Sequence, residues 1–517
     1  MSQSALAARR LPILWLALLA TALVGALAAG ALSTGAAAIP FLWAGLLAAA
    51  AFGFVAIRGD LLSAVLAWFA TLIFLHEEFW RDAESAFFAL TIPRIGIVVL
   101  FVLFLFMVVT GRVRPRLTWP VGWVLLAIVA YFTISAAASG FETRSPITIH
   151  YRLIGGYIFP FVVFLLVLHG LRNESDYRHI AVFFAGLGVY LTFIAWCERF
   201  ELYGLIFPRY IADAGVGIHW GRVRGPFVMS PAMGLALIYC FFSNLVLARQ
   251  SRLSIRALLW ICNFLMLPAI FWTKTRSVWL SLVVCGAIWL MCSKRKMARA
   301  VTVPVLLAIA LVVAVVNMEG ILSEDREKGG VTDLDPILMR VGLAQMTWHM
   351  VADHPLTGVG FGHFRDHAPN FAQDPSSPYY AFSSTAMEHN NLLSVLAETG
   401  FIGLALYVTA IVSLIVISIR LYKKLPESAP GFINRDLIVL YWILAAAFLI
   451  DGFFRETSDN PFANCLFFGL SGVVAALNIL LGPRPIRANV GYPASRPSGV
   501  KKEGPAARMP VRITAQR

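Results

Sequence analysis

Stretches of about twenty apolar residues, long enough to cross a bilayer as helices, recur from residue 11 to residue 481. Fourteen such runs are legible, near 11–32, 38–57, 61–75, 92–109, 121–139, 153–169, 180–197, 228–248, 257–272, 277–292, 300–316, 393–419, 436–451 and 461–481. The pattern predicts an all-α, polytopic membrane protein of about 14 transmembrane helices, with both termini on one side. Only 14% of the residues are charged and 59% are hydrophobic. Soluble domains carry about a quarter charged residues, so that class is excluded. The segment after Arg9 and Arg10 has the outline of a signal peptide, but the spans that follow make it a first membrane helix.

A net charge of +14 suggests nucleic acid until it is mapped onto these spans. With the N-terminus inside, most of the 42 Lys and Arg fall in inner loops and in the tail after Pro483, and most of the 28 Asp and Glu fall outside. That is the positive-inside pattern. The excess charge faces anionic inner-leaflet lipid, and no nucleic-acid partner is expected. The six cysteines, Cys197, Cys240, Cys262, Cys285, Cys292 and Cys465, lie mostly in apolar runs without a CxxC pair, as small core residues.

The chain divides into N-terminal spans and outer loops (1–219), a central region (220–420), further spans (421–482) and a basic Pro/Gly-rich tail expected to be disordered (483–517). The largest outer loop covers 317–391. Ile337, Val341, Ala344, Trp348 and Val351 recur there at helical spacing. This predicts an amphipathic helix lying on the membrane face or packed on other loop residues.

Outer-face cations near hydrocarbon need partners. Arg222 and Arg224 precede the span from Val228, and Lys274 and Arg276 occupy the turn before Ser277. Helix N-termini attract anions and guanidinium forks match phosphate oxygens, so both clusters suit a pyrophosphate. Pairing with acids such as Glu198, Glu201 or Asp213 is the plain alternative.

Glu388, His389 and Asn390 open the next span. On a continuous helix His389, Leu393, Leu396, Gly400 and Gly403 share one face, with the glycines admitting a close neighbour. A helix N-terminus disfavours imidazolium, which leaves His389 neutral and able to act as a general base. A simple capping histidine is the alternative.

Other motifs are weaker. His76-Glu77-Glu78 lacks the second histidine of a zinc protease, since Trp80 stands there. His363 and His367 have i, i+4 spacing but no further ligand motif, so no metal is expected. Gly358, Gly360 and Gly362 read as a tight turn.

Together these residues resemble the O-antigen ligase/polymerase superfamily of bacterial membrane glycosyltransferases. The family signature, His-Asn/Ser/Gln, nine residues, then GxxG, is met by His389-Asn390 and Gly400-Phe-Ile-Gly403. Asp353-His-Pro-Leu-Thr-Gly-Val-Gly-Phe-Gly-His-Phe364, Thr275-Arg276-Ser277 and Arg222-Val-Arg-Gly-Pro-Phe227 look like three further family segments in the same order. The resemblance implies a metal-independent, cofactor-free, inverting transfer from undecaprenyl-diphosphate-linked glycan at the periplasmic face of the inner membrane. It makes His389 the base and Arg222 and Arg276 the diphosphate holders, with Arg224 and Lys274 beside them. Arg340, Asn390 and Glu388 become substrate contacts, and Gly400 and Gly403 a structural motif. The acceptor is a saccharide in a polymerase or lipid A-core in a ligase, with a chain-length regulator as a further partner. A flippase for the same lipid-linked glycan and a protein O-oligosaccharyltransferase are the alternatives. The fourteen spans and the lack of asparagine in Val228-Met-Ser-Pro231 leave the acceptor open.

Overall fold

A computed structural model describes residues 60–75, 91–145, 147–292, 335–371, 390–427 and 431–482, with backbone alone for Ile92 and 335–339. The expected spans 11–32, 38–57 and 300–316, the tail, Glu388 and His389 lie outside the described residues. Within them the chain is all-helical. Eight helices are long and apolar enough to cross a membrane: α3 (Val121–Ser139), α4 (Ile149–Gly170), α5 (Glu174–Arg199), α6 (Ser230–Arg249), α7 (Leu253–Trp272), α11 (Asn391–Lys424), α12 (Arg435–Phe454) and α13 (Pro461–Leu480). Three apolar helices are shorter: α1 (Leu61–Phe74), α2 (Ile92–Val109) and α8 (Arg276–Cys292). Each coincides with a run read from hydropathy. The large loop adds α9 (Asp335–Asp353) and α10 (Phe364–Phe371).

Polar side chains set where the helices begin. Asp60, Thr148, Asn390, Asn434 and Asn460 each accept a hydrogen bond from a backbone N–H of the first turn, and Asn173 forms a capping box with Asp176. A first-turn N–H has no partner within its own helix, and a cap supplies one.

The helix α6 is the centre of the bundle, buried from Ser230 to Ala248. It is hydrophobic all round, as a helix enclosed by others must be. Its Asn244 amide donates to Asn263 Oδ1 of α7 at 2.9 Å, and the Asn263 amide donates to the Phe241 carbonyl, a polar link inside the core. By contrast only a third of α7 is buried, and Leu258, Ile261 and Phe264 stand exposed as lipid-facing side chains would. Close packing of α13 on α4 depends on glycine. A Cβ at Gly472 would lie 2.8 Å from the Phe164 carbonyl oxygen, and one at Gly469 2.7 Å from Val163.

Contacts outside the bundle sort onto two ends. At one, which we call the loop face, Tyr210 donates to the Ile73 and Pro226 carbonyls and Phe361 N–H donates to Ser135. At the other, Glu174 accepts from Phe432 N–H, Arg249 pairs with Asp436, and Arg116 N–H donates to His169.

The predicted loop helix exists as α9, but its buried stripe is offset from the expected one. Leu343, Met346 and Met350 pack against Phe364, Ala368 and Ala397, while Val341 and Trp348 remain exposed. Two apolar stripes lie side by side on this helix, and periodicity alone could not say which one the protein covers.

Candidate functional site

The two arginine segments meet on the loop face. Val223 N–H donates to the Trp272 carbonyl at 3.1 Å, and Arg222 Nη1 donates to the Lys274 carbonyl at 3.4 Å. The chain before α6 is thereby fastened to the turn between α7 and α8. Arg222, Lys274 and Arg276 fall in one neighbourhood, all partly exposed. Lys274 adopts a φ of 46°, a left-handed conformation that makes the turn tight enough for α8 to start at Arg276. The positive end of α8 therefore opens among these three cations, an arrangement suited to an anion.

Arg224 behaves differently. It is 1% exposed, and its guanidinium donates to the carbonyls of Val216, Ile211 and Asp213 and stacks on Trp220. Glu198 accepts from the N–H groups of Gly225, at 2.9 Å, and Arg224. Arg224 and Glu198 thus brace the loop from inside, whereas Arg222 is partly exposed beside the Lys274 turn.

The signature helix is two helices. At Gly400 the backbone has φ 65° and ψ −167°, which breaks α11. Phe401 and Ile402 would donate to Ala397 and Glu398 in an unbroken helix. They donate instead to the carbonyls of Pro355 and Leu356, while Ala397 and Glu398 accept from Val359 and Gly360. The segment 355–360 replaces the missing turn. Four backbone groups left without partners here would cost several kcal/mol. Gly358, Gly360 and Gly362 all have positive φ, the turn read from the sequence. A Cβ at Gly400 would lie 2.3 Å from the Leu356 carbonyl carbon, and one at Gly358 2.4 Å from that of Glu398. The expectation of one continuous glycine-lined face is therefore corrected: Gly400 is a docking point for the Pro355–Gly360 chain. Gly403 leaves room for the Thr399 hydroxyl and Phe132.

The nine residues from Asn391 to Thr399 form a separate short rod. Asn390 caps it, accepting from Leu392 and Leu393 N–H, and its own amide donates to the Phe453 carbonyl at 3.2 Å. Two residues beyond Phe453, Arg455 pairs with Asp451 and reaches the sulfur of Met229, next to the Arg222 loop. The start of the rod and the arginine turn therefore share the loop face. Levels agree as well. Cys285 of α8 meets the Ile443 carbonyl of α12; from there Arg276 lies ~14 Å up α8 and Phe454 ~17 Å up α12, at a rise of about 1.5 Å per residue.

Beside the rod is a cavity of about 370 Å³, lined by Arg340, Thr347, Phe364, Asn390, Leu393 and Phe454 among others. Its walls are mostly apolar, and Arg340 stacks over Phe454 at 5.1 Å. The weaker histidine pair has structural partners. His363 bonds Asp366 at 2.9 Å and the Gly140 carbonyl at 3.1 Å, fastening the α10 region to the end of α3. Burial opposes the charge on Asp366, yet bonds from Arg144 N–H, Thr143 and His363 hold its carboxyl below the usual range.

Sequence reasoning missed a buried ionic frame beneath this site. Arg152, 5% exposed, binds both oxygens of Glu398 at 2.7 and 3.0 Å and donates to Ser458 and Ser394. Glu398 was legible as an acid inside an apolar run, and Arg152 as a cation at the edge of another.

The fold and this loop face define a multi-pass, all-helical membrane protein with its polar machinery gathered at one end. Residues 261–408 match the family described as O-antigen ligase, which supports membership of the O-antigen ligase/polymerase superfamily. The matched region runs from α7 through the rod and includes Lys274, Arg276, Arg340, His389, Gly400 and Gly403, but not Arg222. No curated protein matches the chain.

Proposed function

We propose that this membrane glycosyltransferase-like protein moves glycan from undecaprenyl diphosphate to an acceptor hydroxyl, as a surface-polysaccharide polymerase or an O-antigen ligase. The observation that carries the reading is the bond from Arg222 to the Lys274 carbonyl, which joins two distant cationic segments at the mouth of α8. Asn390, next to His389 in the chain, stands on the same face. In this reading the loop face is periplasmic and the termini are cytoplasmic, as the charge distribution favours. His389 takes the proton of the acceptor hydroxyl as its oxygen attacks the anomeric carbon. The bond to the diphosphate breaks with inversion, and undecaprenyl diphosphate leaves with its charge stabilised by Arg222, Arg276 and Lys274. Arg340 and Asn390 line the adjoining cavity for sugar or lipid, and Glu388, next to the base in the chain, is a further substrate contact. No metal is needed for these steps.

The test is turnover of labelled undecaprenyl-diphosphate glycan by the purified protein. Product should form with EDTA present and vanish in His389→Ala. Turnover retained in that variant removes the base; a large loss with EDTA brings in a metal. Surface-polysaccharide banding in a deletion strain separates the acceptors. Loss of long chains with one repeat still attached marks a polymerase, and loss of all attachment a ligase.

A further inference from the structure

We infer that Arg152, outside the family-matched region, is a positioning residue that fixes the register of the rod following His389; its role in transfer rests on the function proposed above. The rod has no covalent helical continuity to hold it, because Gly400 breaks α11. Its C-terminal end is held by two backbone bonds, from Val359 and Gly360 N–H to the Ala397 and Glu398 carbonyls. Those bonds set its height but leave a hinge, since both lie at one level.

The start of the rod is tied by Asn390 to the Phe453 carbonyl and by Asn391, whose amide donates to the Tyr407 hydroxyl at 2.8 Å, and Arg152 supplies the hold between the two ends. Its Nη1 and Nη2 grip both oxygens of Glu398, and Nη2 also reaches Ser394 at 3.3 Å. Residues 394 and 398 are one turn apart on the same side of the rod. One planar guanidinium thus contacts two successive turns, which opposes both tilt and rotation. Its Nε donates to Ser458 at 2.9 Å, and it stacks over Phe361 at 5.5 Å. The rod is therefore referenced to α4, to the α12–α13 loop and to the segment that plugs the helix break.

The local build of α4 serves this placement. The helix widens into a π turn at Ile154–Ile158, directly after Arg152. There a Cβ at Gly156 would lie 2.7 Å from the Ser458 carbonyl oxygen, and one at Gly155 2.9 Å from Pro461. The two glycines let the Ser458 loop approach closely enough to share the guanidinium.

The leverage is large. Glu398 lies ~12 Å along the rod from Asn390, so a tilt of about 0.1 radian shifts that end by ~1 Å. Misplacement of a reacting group by about 1 Å can cost ~10²-fold in rate.

The experiment compares wild type, Arg152→Met/Glu398→Leu and Glu398→Gln in the full-length protein. It reads kcat and donor KM for glycan transfer, and hydrogen exchange of the 394–399 amides. Replacing both members of a buried pair by apolar residues often leaves a fold intact, so the double variant isolates positioning from stability. The expected result is a kcat lowered about 100-fold with donor KM within about twofold, and faster exchange confined to the rod. Glu398→Gln, which keeps shape but not charge, should show the same pattern in weaker form and serves if the double variant does not insert. Wild-type kcat and exchange in these variants would overturn the inference, as would a loss confined to KM. If wild type itself transfers no glycan, that failure belongs to the proposed function, and the exchange rates alone decide whether Arg152 holds the rod.

Discussion

Before Gly400, α11 buries every residue from Ser394 to Thr399 and brings Ser394, Glu398 and Thr399 into hydrogen bonds. After it, Phe401, Val408, Val412 and Val416 stand 38–51% exposed, with apolar side chains facing outward. Hydropathy sees one long span. Packing divides it into a short protein-enclosed rod and a longer lipid-facing helix. A polar residue is tolerated in the first because partners surround it, and would be costly on the outward face of the second. The first nine residues thus form a buried, hydrogen-bonded support for the chain that enters at Asn390, and the rest anchors them.

The division can be broken at several points. His389→Ala carries the largest expected effect. Loss of a general base lowers rates by about 10²–10⁴-fold, so turnover should fall to that extent while the protein still inserts. A comparable loss from Val412→Ala in the second half would erase the contrast. Gly400→Ala comes next. A left-handed φ combined with a Cβ pressed on the Leu356 backbone should cost on the order of 3 kcal/mol or more, read as a lower thermal midpoint in detergent. A midpoint near that of wild type would mean that segment 355–360 does not plug the break.

Asp459 gives a smaller effect. Burial pushes its carboxyl up to about 6, with Arg455 pulling it down and Glu456 pushing it further up. The folded state therefore holds this proton more tightly than the unfolded chain. Stability should fall as pH rises from about 4 to about 6 and change little beyond. Asp459→Asn should flatten that slope, a difference of at most about 3 kcal/mol at neutral pH. An unchanged slope would show that this loop is not the buried support of the rod. Smallest of all, Val412→Ala should shift the midpoint by no more than about 1 kcal/mol, since its side chain already faces outward.

Much of this was legible from residues. The run expected at 228–248 is α6 at Ser230–Arg249, and the brief Thr273–Thr275 turn is where four residues of polar sequence put it. The break at Gly400 was not, because a helical spacing continues across it and GxxG in an apolar run reads as a packing motif. What replaces the helix is a segment more than forty residues earlier in the chain, which no local pattern reveals. Arg152 was passed over for the same reason: its partner Glu398 is 246 residues away. Arg222 and Arg224 are chemically alike and two residues apart. Only burial separates the one that meets the Lys274 turn from the one enclosed by loop carbonyls.

The central claim is that two guanidinium groups and one imidazole act around a single diphosphate. Binding of undecaprenyl diphosphate to the purified protein, in a cycle of Arg222→Ala, Arg276→Ala and the double variant, tests it most directly. Side chains holding one ligand are energetically coupled by roughly 0.5–3 kcal/mol. In that arrangement each single change weakens binding about tenfold or more, and the double loses measurably less than the two effects multiplied. Strictly additive losses, or undiminished binding in either single variant, would contradict it.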